Sequence, residues 1–331
     1  MDKHAYQKLG PIPRRPLGKD GVSVSAIGVG GHHLGELPDV ETAIELVHEA
    51  IDAGVTFFDN CWEYYDGKTE DWLGRALAGK RDQIFLMTKV CTHGRDGTLA
   101  MRMLEESLRR LQTDHLDLWQ IHGVSFDDDP ELAYRKGGVL EALDLARRQG
   151  KTRFVGFTGH KTPRIHLEMI TRGYPFDTVQ MPLNCFDASF RSFEQEVLPE
   201  ARRRGIAVIG MKSLGGTGDM IRRGAVTHDE ALRYAMSLPV LTTVAGMSSI
   251  DVLRGDLEIA RGFTPMAPVE MAALRASSAP MAGDGRFELY KVGLRYDNPE
   301  ARRAHGFPTD PTEKEIAQSL DEVMNPRGMS R

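Results

Sequence analysis

No stretch of the chain approaches the roughly 18 consecutive apolar residues that a membrane-crossing helix needs, so no such helix is expected. Cysteine is scarce. Cys61, Cys91 and Cys185 are three in 331 residues, an odd number that fits reduced thiols in the cytoplasm better than a disulfide framework. An excess of cations is also missing. Against 47 Asp and Glu stand 42 Lys and Arg, a net charge of −5, so no nucleic-acid partner is expected, because neutralising phosphates takes a strongly basic face. The basic clusters at Arg109-Arg110 and Arg202 to Arg204 fall near the ends of predicted helices, where cations offset the negative end of the helix dipole. Met1-Asp2-Lys3-His4 leads into a polar, proline-containing stretch without the apolar core of a signal peptide, so export by that route is not expected and a cytoplasmic location is.

What remains is the composition of a packed globular body, 41% hydrophobic and 27% charged. From about residue 24, short apolar, β-branched runs alternate with longer segments of helical periodicity, the signature of repeated βα units. The predicted strands are Val24–Gly30, Thr56–Asp59, Ile84–Val90, Leu116–His122, Arg153–Thr158, Thr178–Leu183, Ala207–Met211 and Thr242–Ala245. Each precedes a predicted helix: Val40–Ala53, Thr69–Ala78, Leu99–Leu111, Gly138–Gln149, Pro163–Thr171, Phe193–Arg204, Thr227–Ser237 and Ile250–Arg261. Gly150 and Gly205 suit C-caps, and Asp39 and Thr227 suit N-caps. Eight βα units can close into an α/β (β/α)8 TIM barrel without an exposed edge; an open doubly wound sheet is the alternative. The expectation is one domain over residues 1–331, with the barrel at about 24–261 and a tail at 262–331. Ahead of the barrel, Asp20-Gly21 followed by alternating Val22 and Val24 predicts a hairpin able to plug its bottom. The tail is expected to pack as loop and helix, with a late amphipathic segment at Thr312–Met324 and a lid-like stretch from Pro280 to Gly285.

Active sites of such barrels lie at the C-terminal ends of the strands. Four polar residues fall there: Asp59 ends the second strand, Tyr64 follows five residues later, Lys89 ends the third and His122 the fourth. Singly, each has an ordinary explanation as a helix cap, a core aromatic, a solvated rim lysine or a satisfied core histidine. Their joint placement on adjacent strands points to chemistry. An ammonium about 4 Å from a phenol, at an effective dielectric near 20, stabilises the phenolate by roughly 4 kcal/mol, or about three pK units. That predicts a Tyr64 titrating nearer physiological pH and able to protonate a carbonyl oxygen as hydride reaches the carbon. Asp59 would hold Lys89, and His122 would orient the carbonyl.

The run from Phe57 to Glu70, Phe-Phe-Asp-Asn-Cys-Trp-Glu-Tyr-Tyr-Asp-Gly-Lys-Thr-Glu, then Met87-Thr-Lys89, resembles the aldo-keto reductase superfamily. So does Leu104-Glu-Glu-Ser-Leu-Arg-Arg-Leu-Gln-Thr-Asp-His-Leu-Asp-Leu-Trp-Gln-Ile-His122, and the similarity covers most of residues 15–261. The resemblance implies an NADPH-dependent reductase of aldehydes or ketones with Asp59, Tyr64, Lys89 and His122 as its tetrad; the five-residue spacing selects Tyr64 over Tyr65. It further implies that Gln180 and Thr158 hold the nicotinamide carboxamide. Gly159 and His160 stand where the family has Asn, so one amide contact is lost or supplied by the imidazole. Met211 would pack on the nicotinamide, with Lys212, Ser213, Leu214 and Gly215 running beneath the pyrophosphate. Gly246, Met247, Ser248 and Ser249, with Arg254 and Asp256, would face the adenosine 2′-phosphate. Gly246 and Val252 replace the family's usual cations there and Asp256 its Asn, so Arg254 is the substitute cation and NADH is a possible second cofactor.

The glycines Gly28, Gly30, Gly31 and Gly35 do not form G-x-G-x-x-G opening a helix; Gly30 and Gly31 instead let cofactor approach the first βα loop. His32, Trp62 and Tyr65 are candidate substrate neighbours. Cys61 and Cys91, each two residues past a tetrad member, are expected near the site mouth. His32, His33 and the three cysteines could suggest zinc, but no close Cys-x-x-Cys or His-x-x-x-His pair supports it, and no metal is expected. The partner is therefore a small-molecule carbonyl, and oligomeric state stays open. A cofactor-binding regulatory subunit is the rival reading; a metal-dependent hydrolase fails for want of paired ligands.

Overall fold

The computed structural model describes residues 9–18, 20–91, 95–293 and 296. The predicted Thr312–Met324 helix and the first eight residues lie outside them. An antiparallel hairpin, β1 (Arg14–Pro16) and β2 (Ser23–Ser25), comes first, with Arg15 opposite Val24. Eight parallel strands follow: β3 (Ile27–Gly30), β4 (Phe57–Asp59), β5 (Phe85–Val90), β6 (Leu116–Ile121), β7 (Thr152–Thr158), β8 (Thr178–Pro182), β9 (Ala207–Met211) and β10 (Thr242–Ala245). They close in sequence order, β10 pairing with both β9 and β3. This is the (β/α)8 barrel, and the open-sheet alternative is excluded.

The helices are α1 (Val40–Asp52), α2 (Lys68–Ala76), α3 (Gly97–Arg110), α4 (Asp129–Tyr134), α5 (Val139–Arg148), α6 (Pro163–Thr171), α7 (Phe193–Arg203), α8 (Asp219–Arg222), α9 (His228–Ser237), α10 (Ile250–Arg261), α11 (Pro268–Ala282) and α12 (Leu289–Val292). Caps fix several starts. Asp39 accepts from the Thr42 N–H at 2.8 Å, and Thr227 with Glu230 forms a reciprocal capping box on α9. Four helices, α4, α8, α11 and α12, were not expected from the sequence. Three of them have six residues or fewer, too short for a periodic signal. In α11, Pro280 sits in the last turn, so the expected lid-like stretch is helical as far as Ala282. No helix of the described residues is long and apolar enough to cross a membrane.

Strand alternation divides the core. Inside the barrel, Phe57, Phe85, Met87, Leu118, Phe154, Ile209 and Val244 form one buried cluster, and Leu17 and Val24 of the hairpin pack against it, stoppering the bottom. Outward-facing side chains meet the helices in a second, larger cluster. Polar side chains enter the interior at the C-terminal strand ends, where the site lies.

Candidate active site

Register brings the rim residues together: Asp59 of β4 pairs with Met87 of β5, and Lys89 with Gln120 of β6. Asp59 and Lys89 are buried, and Lys89 Nζ forms an ion pair with Asp59 Oδ1. The same ammonium donates to the Asn60 carbonyl at 2.8 Å and reaches the Tyr64 hydroxyl at 3.5 Å. Gln180 Nε2, from β8, donates to Asp59 Oδ2 at 2.6 Å, so both carboxylate oxygens are engaged. Tyr64 opens a short 3₁₀ turn, Tyr64–Gly67, and lies half-buried.

One expectation is overturned. The Tyr64 phenol is pushed well above its ordinary value, chiefly by burial and then by the Asp59 charge. Lys89 does not reverse this, because Asp59 already neutralises it and sits in the same dry pocket. Tyr64 therefore rests as a phenol, the form that can donate a proton.

His122 follows β6 and presents a ring whose centroid lies 5.8 Å from that of Tyr64, edge to face. Its Nδ1 pairs with Glu63 Oε1, a contact the sequence reading did not foresee. Cys91 Sγ donates to Glu63 Oε2 at 2.8 Å, and Cys61 Sγ lies 3.2 Å from His122 Nδ1. Both thiols thus reach the site, through Glu63 and His122. The sulfur of Cys61, the carboxylate of Glu63 and the imidazole lie within 4.8 Å of one another, a grouping across two strands that a spacing rule cannot detect. The only sequence signal for Glu63 was an acidic residue beside the candidate acid. Burial holds the His122 ring below its usual value, against the pull of Glu63.

Of the candidate substrate neighbours, His32 is exposed and packs 5.2 Å from the rings of both Tyr64 and Tyr65. Tyr65 is 41% exposed. Trp62 is turned the other way: its Nε1 donates to Glu106 Oε2 on α3 at 2.8 Å, and the Arg110 guanidinium lies over its ring.

The opposite arc of the mouth carries the candidate cofactor residues. Gly30 ends β3 and Gly31 begins a 3₁₀ turn. Thr158 and Gln180 are adjacent across β7 and β8, with Met211 Sδ 4.0 Å from the Thr158 hydroxyl. Gln180 Oε1 is buried with no hydrogen-bond partner among the described residues. Gly159 explains its own departure from the family pattern: a Cβ there would lie 2.4 Å from the Val124 carbonyl oxygen, leaving no room for an asparagine. His160 is buried, its Nδ1 3.2 Å from the Tyr290 carbonyl oxygen. Burial, then Lys212, holds this ring well below its ordinary value.

The C-terminal segment packs over this arc. Asn184 Nδ2 donates to Glu288 Oε1 and the Tyr290 hydroxyl, each at 3.0 Å, and Lys291 Nζ bonds Asp187 Oδ1 at 2.7 Å and Glu288 Oε2 at 2.9 Å, all buried. Lys212 lies over the faces of Tyr290 and Tyr296, while Ser213 and Gly215 are buried and Leu214 is half-buried. The sequence implies a tail packed on the barrel with a lid-like stretch at Pro280 to Gly285, but singles out none of Glu288, Tyr290 or Lys291.

The loop after β10 departs most from expectation. A Cβ on Gly246 would lie 2.3 Å from the His33 ring, so a side chain at the position usual for a cation requires that ring to turn aside. Met247 is buried, Ser248 is exposed, and the Ser249 hydroxyl caps α10 by accepting from the Val252 N–H at 3.2 Å. Arg254, expected as a substitute cation, forks onto Glu49 of α1 at 2.7 and 2.8 Å. Asp256 is buried against His228 Nε2 at 2.8 Å. The family resemblance implies a phosphate role for this loop; in the structure Arg254 and Asp256 are each held by a residue distant in sequence.

The aldo/keto reductase family profile matches residues 26–223. The aldo-keto reductase YhdN of Bacillus subtilis is 31% identical over 208 residues, covering 59% of this chain and 60% of that protein. Methylglyoxal reductase YeaE of Escherichia coli is 31% identical over 221 residues, covering 65% of this chain and 74% of that one. The matched part thus spans only about 60% of the first relative's length. An aldo-keto reductase from Klebsiella pneumoniae, solved in complex with NADP and acetate, superposes with a TM-score of 0.62 at 23% identity, over 78% of this chain and 93% of that one, and shares the fold. A profile matched across seven of the eight barrel strands, on a closed barrel of the same fold, makes this chain a member of the aldo/keto reductase family.

Proposed function

We propose that the chain reduces aldehydes or ketones to alcohols with NADPH, Tyr64 acting as general acid. Aldo-keto reductases use NADPH, and the bound nicotinamide supplies the hydride. The residues present fit it: the unpartnered, buried Gln180 Oε1 is an acceptor suited to a carboxamide N–H, beside the Thr158 hydroxyl. The observation that carries the reading is Lys89 Nζ, gripped by Asp59 and 3.5 Å from the Tyr64 hydroxyl. As the phenol passes its proton to the carbonyl oxygen, this ammonium meets the phenolate that forms. Asp59 keeps Lys89 in place throughout. With Arg254 paired to Glu49 and glycine instead of a cation at position 246, few cations favour a 2′-phosphate, which supports NADH as a second donor.

The test is a fluorescence titration with NADPH and, separately, NADH, followed by a panel of aromatic and aliphatic aldehydes. Cofactor oxidation on aldehyde addition is the expected result. Tight binding without turnover favours the regulatory-subunit reading, and no binding overturns both.

A further inference from the structure

We propose that Glu63 is a positioning residue: it accepts a hydrogen bond from the Nδ1–H of His122, so that the ring meets a carbonyl oxygen through Nε2 and donates there only as an imidazolium. The inference rests on the reductase reading above. A carboxylate only accepts, so the Glu63–His122 contact places a proton on Nδ1. A neutral ring with that proton has a lone pair at Nε2, which repels a carbonyl oxygen; a second proton turns it into a donor. The carboxylate is itself fixed, since the Cys91 thiol donates to its other oxygen at 2.8 Å and the pair is only 17% and 16% exposed.

The charged and titratable groups around the ring come from every side. Glu63 and Cys61 face it from the loop after β4, Asp59 from β4, and Lys89 and Cys91 from β5 and its end. His32 and His160 add their own fields from the loops after β3 and β7. Arg95 donates to the His122 carbonyl at 2.8 Å, with its charge paired to Asp129. Among these, Glu63 and Asp59 favour the imidazolium, while burial and Lys89 oppose it. Tyr64, a phenol across this whole range, adds no titration near neutrality.

The sign follows. Imidazolium increases as pH falls through the His122 titration, so wild-type kcat/KM should rise toward acid, by about tenfold per pH unit on the limb above the pKa. Glu63→Gln removes the attraction and moves that limb to lower pH, costing roughly tenfold or more in kcat/KM at a fixed pH on it, with the Kd for NADPH unchanged. Glu63→Asp should restore part of the limb. Superimposable profiles for wild type and Glu63→Gln, or a loss by one constant factor at every pH, overturn the inference. An independent readout is ¹⁵N NMR of imidazole-labelled protein, with His122 identified among the 11 histidines by its loss in His122→Gln. Nδ1 protonation in the neutral ring, lost in Glu63→Leu, which has no acceptor, is expected; an Nε2–H tautomer in wild type overturns it. Absence of reduction at every pH would refute the reductase reading while the NMR result still decides the role of Glu63.

Discussion

The two arcs of the barrel mouth are built on different logic. On one, β4 to β6 deliver Asp59, Lys89 and His122 from successive strand ends, and each side chain meets its partners within a few residues of the sheet. On the other, β7 to β9 deliver Thr158, Gln180 and Met211, but the segments beyond β7, β8 and β10 are pinned by residues far away in sequence: Tyr290 on His160, Glu288 on Asn184, Glu49 on Arg254. The first arc is set by register. The second is set by tertiary docking, and its residues serve stability as much as any ligand.

The comparison is broken most forcefully on the first arc. Tyr64→Phe removes the proton donor and leaves the packing of the ring, so kcat/KM should drop by about 10²–10⁴-fold while the Kd for NADPH and the thermal midpoint hold. A steady-state assay beside a binding titration checks it, and undiminished activity would take Tyr64 out of its role.

On the second arc the expected loss is of stability. Lys291 is fully buried and pairs with both Asp187 and Glu288. Lys291→Met leaves those carboxylates uncompensated, and breaking a buried pair in this way costs about 3–5 kcal/mol. Denaturant unfolding should show it. If stability is unchanged, the C-terminal segment is not docked as described, and the contrast between the arcs disappears.

That contrast also explains what could be read from the sequence. All eight barrel strands and the helices after them were legible, because hydrophobic period and caps such as Asp39 and Thr227 are local signals. Asp59, Lys89 and His122 were legible for the same reason, since a polar residue closing an apolar strand declares its own place. Glu63 was not, because its meaning depends on a ring 59 positions away. The direction of the Tyr64 shift was missed for a related cause: the charge of Lys89 was visible, but the burial that outweighs it was not. On the second arc the resemblance named positions, whereas Arg254, Asp256 and Gly246 are governed by Glu49, His228 and His33, none of which is near in sequence.

A smaller effect sharpens the boundary between ligand site and scaffold. The Ser249 hydroxyl caps α10, and losing such a cap costs about 1 kcal/mol. Ser249→Ala should lower stability by that amount in protein free of cofactor. If stability holds and only NADPH affinity falls, the hydroxyl belongs to a phosphate site and the second arc is more like the first.

The smallest expected effect lies at His228, which Asp256 holds above the ordinary histidine value by the hydrogen bond between them. A raised folded-state pKa contributes stability that is fully present below the unfolded value, about 6.5, and is lost as pH rises through the folded value. The wild-type unfolding midpoint should therefore decline across that window, and His228→Gln, which keeps a donor but cannot titrate, should flatten the decline. Urea unfolding on the two sides of the window measures the difference. Since His228 is half-buried, solvent screening keeps the effect modest; an identical decline in His228→Gln would mean that Asp256 is anchored by something other than this charge, and that the segment after β10 lacks the docking contact on which the contrast between the arcs depends.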